Sequence, residues 1–188
     1  MSSIATDRPT SPVLEIEVKI RIEDPGTART KLKKAGATLH RDRHLEENVL
    51  YDLQGEILFR KQSALRLRTS GKRSFLTFKG PTKKSRKFKV REEFETEVRD
   101  PKQLSKILRS LGYREVFRYK KHRSVFRTKK LSICLDETAA GNYIELEGDR
   151  SDIVRFARAL GYSKENFIKT DYISMLKGPV QEDPGGVG

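Results

Sequence analysis

The sequence predicts an α+β domain: an antiparallel β-barrel, or tunnel, of about eight strands with helices packed outside. Three observations point there. Segment after segment alternates apolar and charged residues with a period of two, as a strand with two unlike faces does. The signs of the charges segregate by strand. The charged strands are also long and lack a short polar edge, so a closed or nearly closed sheet is expected.

Leu14–Ile22 shows the alternation most clearly. Leu14, Ile16, Val18, Ile20 and Ile22 share one face; Glu15, Glu17, Lys19 and Arg21 share the other. Ala64–Thr69 sets Leu65 and Leu67 against Arg66 and Arg68, and Ser74–Gly80 sets Leu76 and Phe78 against Thr77 and Lys79. Ser70-Gly71-Lys72 between them reads as a hairpin turn. Lys87–Arg99, Tyr113–Thr128 and Lys130–Glu137 read as further strands, and Asn142–Gly148 closes the series. Helices are expected at Pro25–Gly36 and Pro101–Gly112, each bracketed by Pro and Gly. Ser151–Gly161 is a third, and Ser163–Leu176 a weaker fourth. The first two helices each follow a strand, which hints at two related halves.

The chain has 188 residues, enough for one domain with its own core. It carries 40 Lys and Arg against 26 Asp and Glu, a formal net charge of +14, which favours polyanionic partners. Its single cysteine, Cys134, excludes an internal disulfide and a cysteine-based metal cluster. No apolar run approaches the ~20 residues of a membrane span. Residues 1–12 lack the apolar stretch of a secretory signal, so a soluble cytoplasmic protein is the expectation. Residues 1–12 and 178–188 read as disordered ends around a body at 13–177.

An antiparallel sheet with one solvated face would account for the alternation alone. Closure changes the reading, because it turns the charges inward. Buried charges of both signs must be paired or must hold a ligand. A polyphosphate with Mg²⁺ or Mn²⁺ matches that demand: carboxylates take the hard cation through oxygen, and Arg and Lys take phosphate oxygens.

Glu15-Ile16-Glu17-Val18-Lys19 is Glu-x-Glu-x-Lys, and further ordered matches follow. They are Glu47–Asp52, Leu65–Arg68, Leu76–Pro81, Arg91–Glu97, Lys121-His122-Arg123, Leu135-Asp136 with Ile144–Gly148, and Thr170–Leu176. Over about residues 13–177 the chain resembles the CYTH superfamily of triphosphate tunnel metalloenzymes, which includes class IV adenylyl cyclases and thiamine triphosphatases. The resemblance implies a small-molecule triphosphate substrate and a divalent-metal cofactor. It implies metal ligands at Glu15, Glu17, Asp136, Glu145 and Glu147. It implies phosphate contacts from Lys19, Arg66, Arg68, Lys79, Arg91, Lys121 and Arg123, with Lys169 as a further one. Glu15, Glu17, Lys19, Arg66, Arg68 and Lys79 form the implied catalytic set; Glu93, Glu95 and Glu97 are supporting carboxylates. The reaction is either hydrolysis of the triphosphate, slightly favoured, or cyclisation of ATP to cyclic AMP and pyrophosphate.

A non-catalytic binder of polyphosphate or RNA stays open as a different class. Against RNA stand the acidic cluster and the scarcity of aromatic residues on the charged faces, where stacking would be needed. Cys134 reads as a small buried residue, and His40, His44 and His122 as surface residues without metal-ligand spacing. The run Lys83–Lys87 reads as a solvated loop. The sequence leaves room for a homodimer and does not specify one.

Overall fold

The computed structural model describes residues 13–168 and residue 170. The expected loose ends, Lys169 and most of the weak fourth helix lie outside the described residues.

The elements run β1 (Val13–Ile22), α1 (Pro25–Lys34), β2 (Thr38–Asp52), α2 (Ile57–Arg60), β3 (Ala64–Ser70), β4 (Arg73–Lys79) and β5 (Lys89–Val98). They continue with α3 (Pro101–Ser110), β6 (Arg114–Arg127), β7 (Leu131–Thr138), β8 (Gly141–Gly148), α4 (Arg150–Ala159) and β9 (Phe167–Ile168). The sheet runs β5-β4-β3-β2-β6-β7-β8-β1, and β1 pairs again with β5. Strands β1 to β8 thus close into an antiparallel barrel with the helices outside, as the sequence predicts. The two-residue β9 pairs Ile168 and Phe167 with Lys19 and Ile20.

Two meanders, β2-β3-β4 and β6-β7-β8, are joined through β2–β6 pairing, while β1 and β5 pair with each other. Each half is therefore a strand, a helix and a three-stranded meander, so the weak self-similarity of the sequence has a structural counterpart.

The helices owe their ends to the same local chemistry. Asp24 and Asp100 cap α1 and α3 by accepting from the Thr27 N–H at 2.6 Å and the Gln103 N–H at 2.9 Å. Pro25 and Pro101 fill the first turn, where an N–H is not needed. Gly36, Gly112 and Gly161 adopt φ near +89, +88 and +89°, and the next residue's N–H returns to the helix: Ala37 to Leu32, Tyr113 to Leu108, Tyr162 to Ala157. Asp52, fully withdrawn from solvent, accepts from the Leu58 and Phe59 N–H groups at 2.8 and 2.9 Å and anchors the single turn α2.

Two apolar clusters lie outside the barrel wall. Val18, Ile20, Ile133, Leu135, Ile144 and Leu146 pack beneath α1 and α4. Val49, Tyr51, Leu65 and Leu67 pack beneath α3 through Leu104 and Leu108. Ile107 and Leu111, expected on the packed face of α3, stay exposed, because the patch under that helix is too narrow to cover them.

Two sequence expectations change. The described part of Ser163–Leu176 is a 3-10 turn at Lys164–Asn166 followed by β9, not a helix. Ser163 and Asn166 close that turn reciprocally, and Phe167 then packs edge-on against Phe88. Strand β2 also begins far earlier than the apolar pattern suggests, because residues 38–46 are held by the ladder with β6 rather than by alternation.

Ile20 is 1% exposed at the centre of the larger cluster. Ile20→Ala should cost about 2–5 kcal/mol of folding stability, read as a lower denaturation midpoint with an unchanged slope.

Candidate active site

Alternation on eight closed strands sends one set of side chains into the barrel. They line a cavity of about 430 Å³. Nine lysine or arginine side chains and seven glutamates face it. The charges divide by position around the wall. Neighbouring strands β8, β1 and β5 present Glu145 and Glu147, Glu15 and Glu17, and Glu93. The opposite arc, β4, β3 and β6, presents Lys79, Arg66 and Arg68, and Lys121 and Arg123. Lys19 and Arg91 stand among the acids.

The two signs neutralise one another across the lumen. Lys79 Nζ lies 2.7 Å from Glu15 and 2.6 Å from Glu93. Arg91 Nε lies 3.1 Å from Glu15. Lys19 Nζ bridges Glu17 at 3.2 Å and Glu145 at 3.0 Å. Burial disfavours the charged form of Glu145, but Lys19, Arg123 and Lys121 outweigh it and hold its carboxyl well below the usual range. Burial likewise opposes the charge on Lys19, and Glu145 and Glu17 keep it protonated.

The arginine strand is anchored from its own side. Glu95 takes both its oxygens to Arg68 Nη2, at 3.0 and 3.2 Å, and accepts from the Thr77 hydroxyl at 2.7 Å. Arg66 is held loosely: its Nη2 is 3.4 Å from Thr77 Oγ1 and 3.9 Å from Glu95, and its Nε has no partner.

Three expected site residues sit differently from the rest. Asp136 is fully buried and does not line the cavity; both its oxygens are taken by Arg123, at 2.6 Å each, and Lys121 adds a contact at 2.9 Å. In this arrangement it braces two cations of the lumen wall from behind. Glu97 lies beyond the lumen, exposed and paired with Arg73 at 2.8 Å, because β5 outruns the cavity toward the β3–β4 turn. Lys169 is outside the described residues.

Glu46 and His44 belong to the lining although parity does not single them out. Register shifts between Leu39 and Arg41 and between Arg41 and His44 let both Arg41 and His44 face the cavity, so simple alternation fails there. His44 is therefore not a surface residue. Lys89 is a second omission, buried on the same face of β5 as Arg91 and 4.0 Å from Glu17. Cys134 also faces the cavity; burial pushes its thiol up to about 12, so it is inert at neutral pH.

Glu147 stands at the rim with no ion pair among the described residues. Burial, then the carboxylates of Glu15, Glu93 and Glu17, push its acid up to about 7. Its side chain reaches solvent, which weakens both contributions without changing their direction. Carboxylate oxygens suit a hard divalent cation, and Glu15, Glu17, Glu145 and Glu147 have the chemistry to hold one if the neighbouring lysines and arginines are drawn away. Among the described residues no three such groups already stand together as a ligand set; the lysines and arginines occupy them.

A closed antiparallel barrel with a lumen divided between cationic and acidic walls defines a tunnel-type fold. A CYTH-domain profile matches residues 14–172, and the chain belongs to the CYTH family. The chain is 28% identical over 174 residues to "Putative adenylate cyclase MJ0240" of Methanocaldococcus jannaschii, covering 87% of this chain and 98% of that protein. A putative adenylate cyclase from Vibrio parahaemolyticus superposes with a TM-score of 0.79 at 19% identity, over 89% of this chain and 100% of that one. HpAC1 from Hippeastrum, a putative adenylyl cyclase described as having a dominant triphosphatase activity, superposes with a TM-score of 0.63 at 22% identity, over 89% and 97%.

The raised acid of Glu147 gives a stability prediction. A carboxyl with a folded value of about 7 against an ordinary 4.5 holds its proton more tightly in the folded chain. Its contribution is present below 4.5 and is lost as pH rises through 7. In EDTA, wild type should therefore lose melting temperature across that window relative to Glu147→Gln, and parallel curves for the two proteins would contradict the assignment.

Proposed function

We propose that the protein hydrolyses a triphosphate held in the tunnel with a divalent cation. The division of the lumen into a cationic and an acidic wall carries this reading. Nothing apolar in the lining competes with it, since only Leu50, Ala64, Tyr119 and Val125 offer nonpolar surface.

Lys19 of β1, Arg66 and Arg68 of β3, Lys79 of β4, Arg91 of β5 and Lys121 and Arg123 of β6 would bind the phosphate oxygens. Each leaves a carboxylate for a phosphate, so little net charge is exposed in the exchange. The glutamates released by Lys79 and Lys19 are Glu15, Glu93, Glu17 and Glu145, and Glu15, Glu17, Glu145 and Glu147 would hold the cation. Bound there, Mg²⁺ or Mn²⁺ would neutralise charge on the phosphate chain and polarise the phosphorus under attack. The chain's own part is positioning: it holds the phosphates in one register between fixed charges, which is where most of the rate of phosphoryl transfer originates. Asp136 and Glu95 orient the arginines and lysine that do the holding.

Cyclisation of ATP is the second reading, favoured by the name of the Methanocaldococcus relative. It needs the same grip on the phosphates and differs in the nucleophile, a ribose hydroxyl attacking the α-phosphorus. The dominant triphosphatase activity of the Hippeastrum protein tips the balance to hydrolysis. A stacking RNA binder is the poorest fit, with Tyr119 the sole Phe, Tyr or Trp of the lining among the described residues.

ATP, inorganic triphosphate and thiamine triphosphate should be assayed in parallel, with phosphate and cyclic AMP both measured. Phosphate release that vanishes in EDTA and returns with Mg²⁺ or Mn²⁺ is expected, and full turnover in chelator would remove the metal assignment. Glu17→Gln should abolish turnover and also lower the melting temperature, because Lys19 loses a buried anionic partner at 3.2 Å, while enough folded protein remains for the loss of turnover to be read on it. Arg66→Ala should weaken triphosphate binding by about 1.5–3 kcal/mol, the worth of a charge-assisted contact, with the fold intact; wild-type affinity in that variant would place the phosphate chain elsewhere.

A further inference from the structure

One lumen carboxylate has no place in the acidic wall. Glu46 lies on β2, in the cationic arc, 1% exposed. Arg68 Nη1 donates to its Oε1 at 3.0 Å. His44 Nε2 stands 3.6 Å from the same oxygen. The His44 Nδ1 is 2.7 Å from the Asp42 carbonyl and so carries the ring hydrogen in the neutral form. The other oxygen of Glu46 has no hydrogen-bond partner among the described residues, although Lys121 Nζ and Arg123 Nε stand 3.8 and 3.9 Å away. Both cations are drawn instead to Asp136.

A buried carboxylate left half-bonded beside cations is an uncommon arrangement. Its counter-anion duty is electrostatic rather than built from close contacts. The cations around it point into the cavity, and they are the ones a phosphoryl group would use.

We propose that Glu46 is a built-in competitor for phosphate: a positioning residue that keeps Arg68, Lys121 and Arg123 spread in the free tunnel and limits how tightly a phosphoryl group binds there. The inference rests on the phosphate reading of the tunnel. An entering phosphate must displace Glu46 from Arg68 and then sits beside its negative charge. Binding is weaker than the cations alone would give, and the product leaves.

A mere brace and a competitor predict opposite signs. Loss of a brace lets the cations shift and weakens anion binding. Loss of a competitor removes a like charge and strengthens it.

The test is calorimetric titration of full-length wild type, Glu46→Gln and Glu46→Asp with inorganic pyrophosphate in Mg²⁺, an anion one phosphate short of a triphosphate. Glu46→Gln should bind about tenfold tighter or more, and Glu46→Asp, which keeps the charge, should bind less tightly than Glu46→Gln. On the triphosphate that wild type turns over, KM and kcat of Glu46→Gln should fall together. Equal or weaker pyrophosphate binding by Glu46→Gln, with wild type binding, overturns this inference alone. Wild type that binds neither pyrophosphate nor tripolyphosphate overturns the phosphate reading and this inference with it. If Glu46→Gln purifies unfolded, refolding with pyrophosphate decides: rescue supports the proposal and its failure overturns it.

Discussion

Everything in this fold depends on neutralising charges of both signs inside a closed wall. Removing an ion from water costs several kcal/mol even after relaxation, and the barrel does so for more than a dozen side chains. It manages this because carboxylates and cations are placed in reach of one another on neighbouring and facing strands, as with Lys79 between Glu15 and Glu93. Such pairs add little net stability over apolar packing. The apolar clusters beneath the helices supply the stability, and this leaves the lumen available for charge.

Pairing within the lumen also sets the conditions for binding. Most of the lumen cations already have an anionic partner, as Lys79 has in Glu15 and Glu93 and Lys19 in Glu17 and Glu145, so on the proposed reading an incoming phosphate would exchange one partner for another. On the same reading the oxygens so released would lose their countercharge, and a divalent cation would replace it. Phosphate and metal are coupled on this view: each removes the partner that the other would otherwise have to displace. Polar groups fixed in advance also lower the reorganisation needed when charge moves along the phosphate chain.

Much of this was legible because strands alternate. The faces of β1, β3 and β8 follow parity, and Glu15, Glu17, Lys19, Arg66, Arg68, Glu145 and Glu147 all fall on the lumen side or its rim. Parity failed where the backbone broke it. The first half of β2 is polar on both faces and carries register shifts, so nothing in its pattern marks His44. Glu46, Asn48 and Leu50 do alternate with Glu47, Val49 and Tyr51, and extending that phase back by one residue would have found Glu46. Parity also cannot say where a lumen ends, which is why Glu97 was grouped with Glu93 and Glu95. Nor does it separate a side chain that lines the cavity from one buried behind the lining, as with Asp136.

The two halves of the barrel share connectivity but not charge. Strand β3 carries Arg66 and Arg68 where its counterpart β7 carries Cys134 and Asp136. Strand β4 carries Lys79 where β8 carries Glu145 and Glu147, and β2 carries Glu46 where β6 carries Lys121 and Arg123. A backbone with twofold pseudosymmetry would give an identically charged lumen on both sides if the sequences matched. Inverting the charge makes the walls complementary, so the tunnel neutralises itself when empty and presents both signs to a ligand when open. That inversion also explains the faint repeat in the sequence. The residues facing the lumen are the ones that had to differ between halves, and the shared signal survives mainly in the helix brackets, Asp24-Pro25 with Gly36 and Asp100-Pro101 with Gly112.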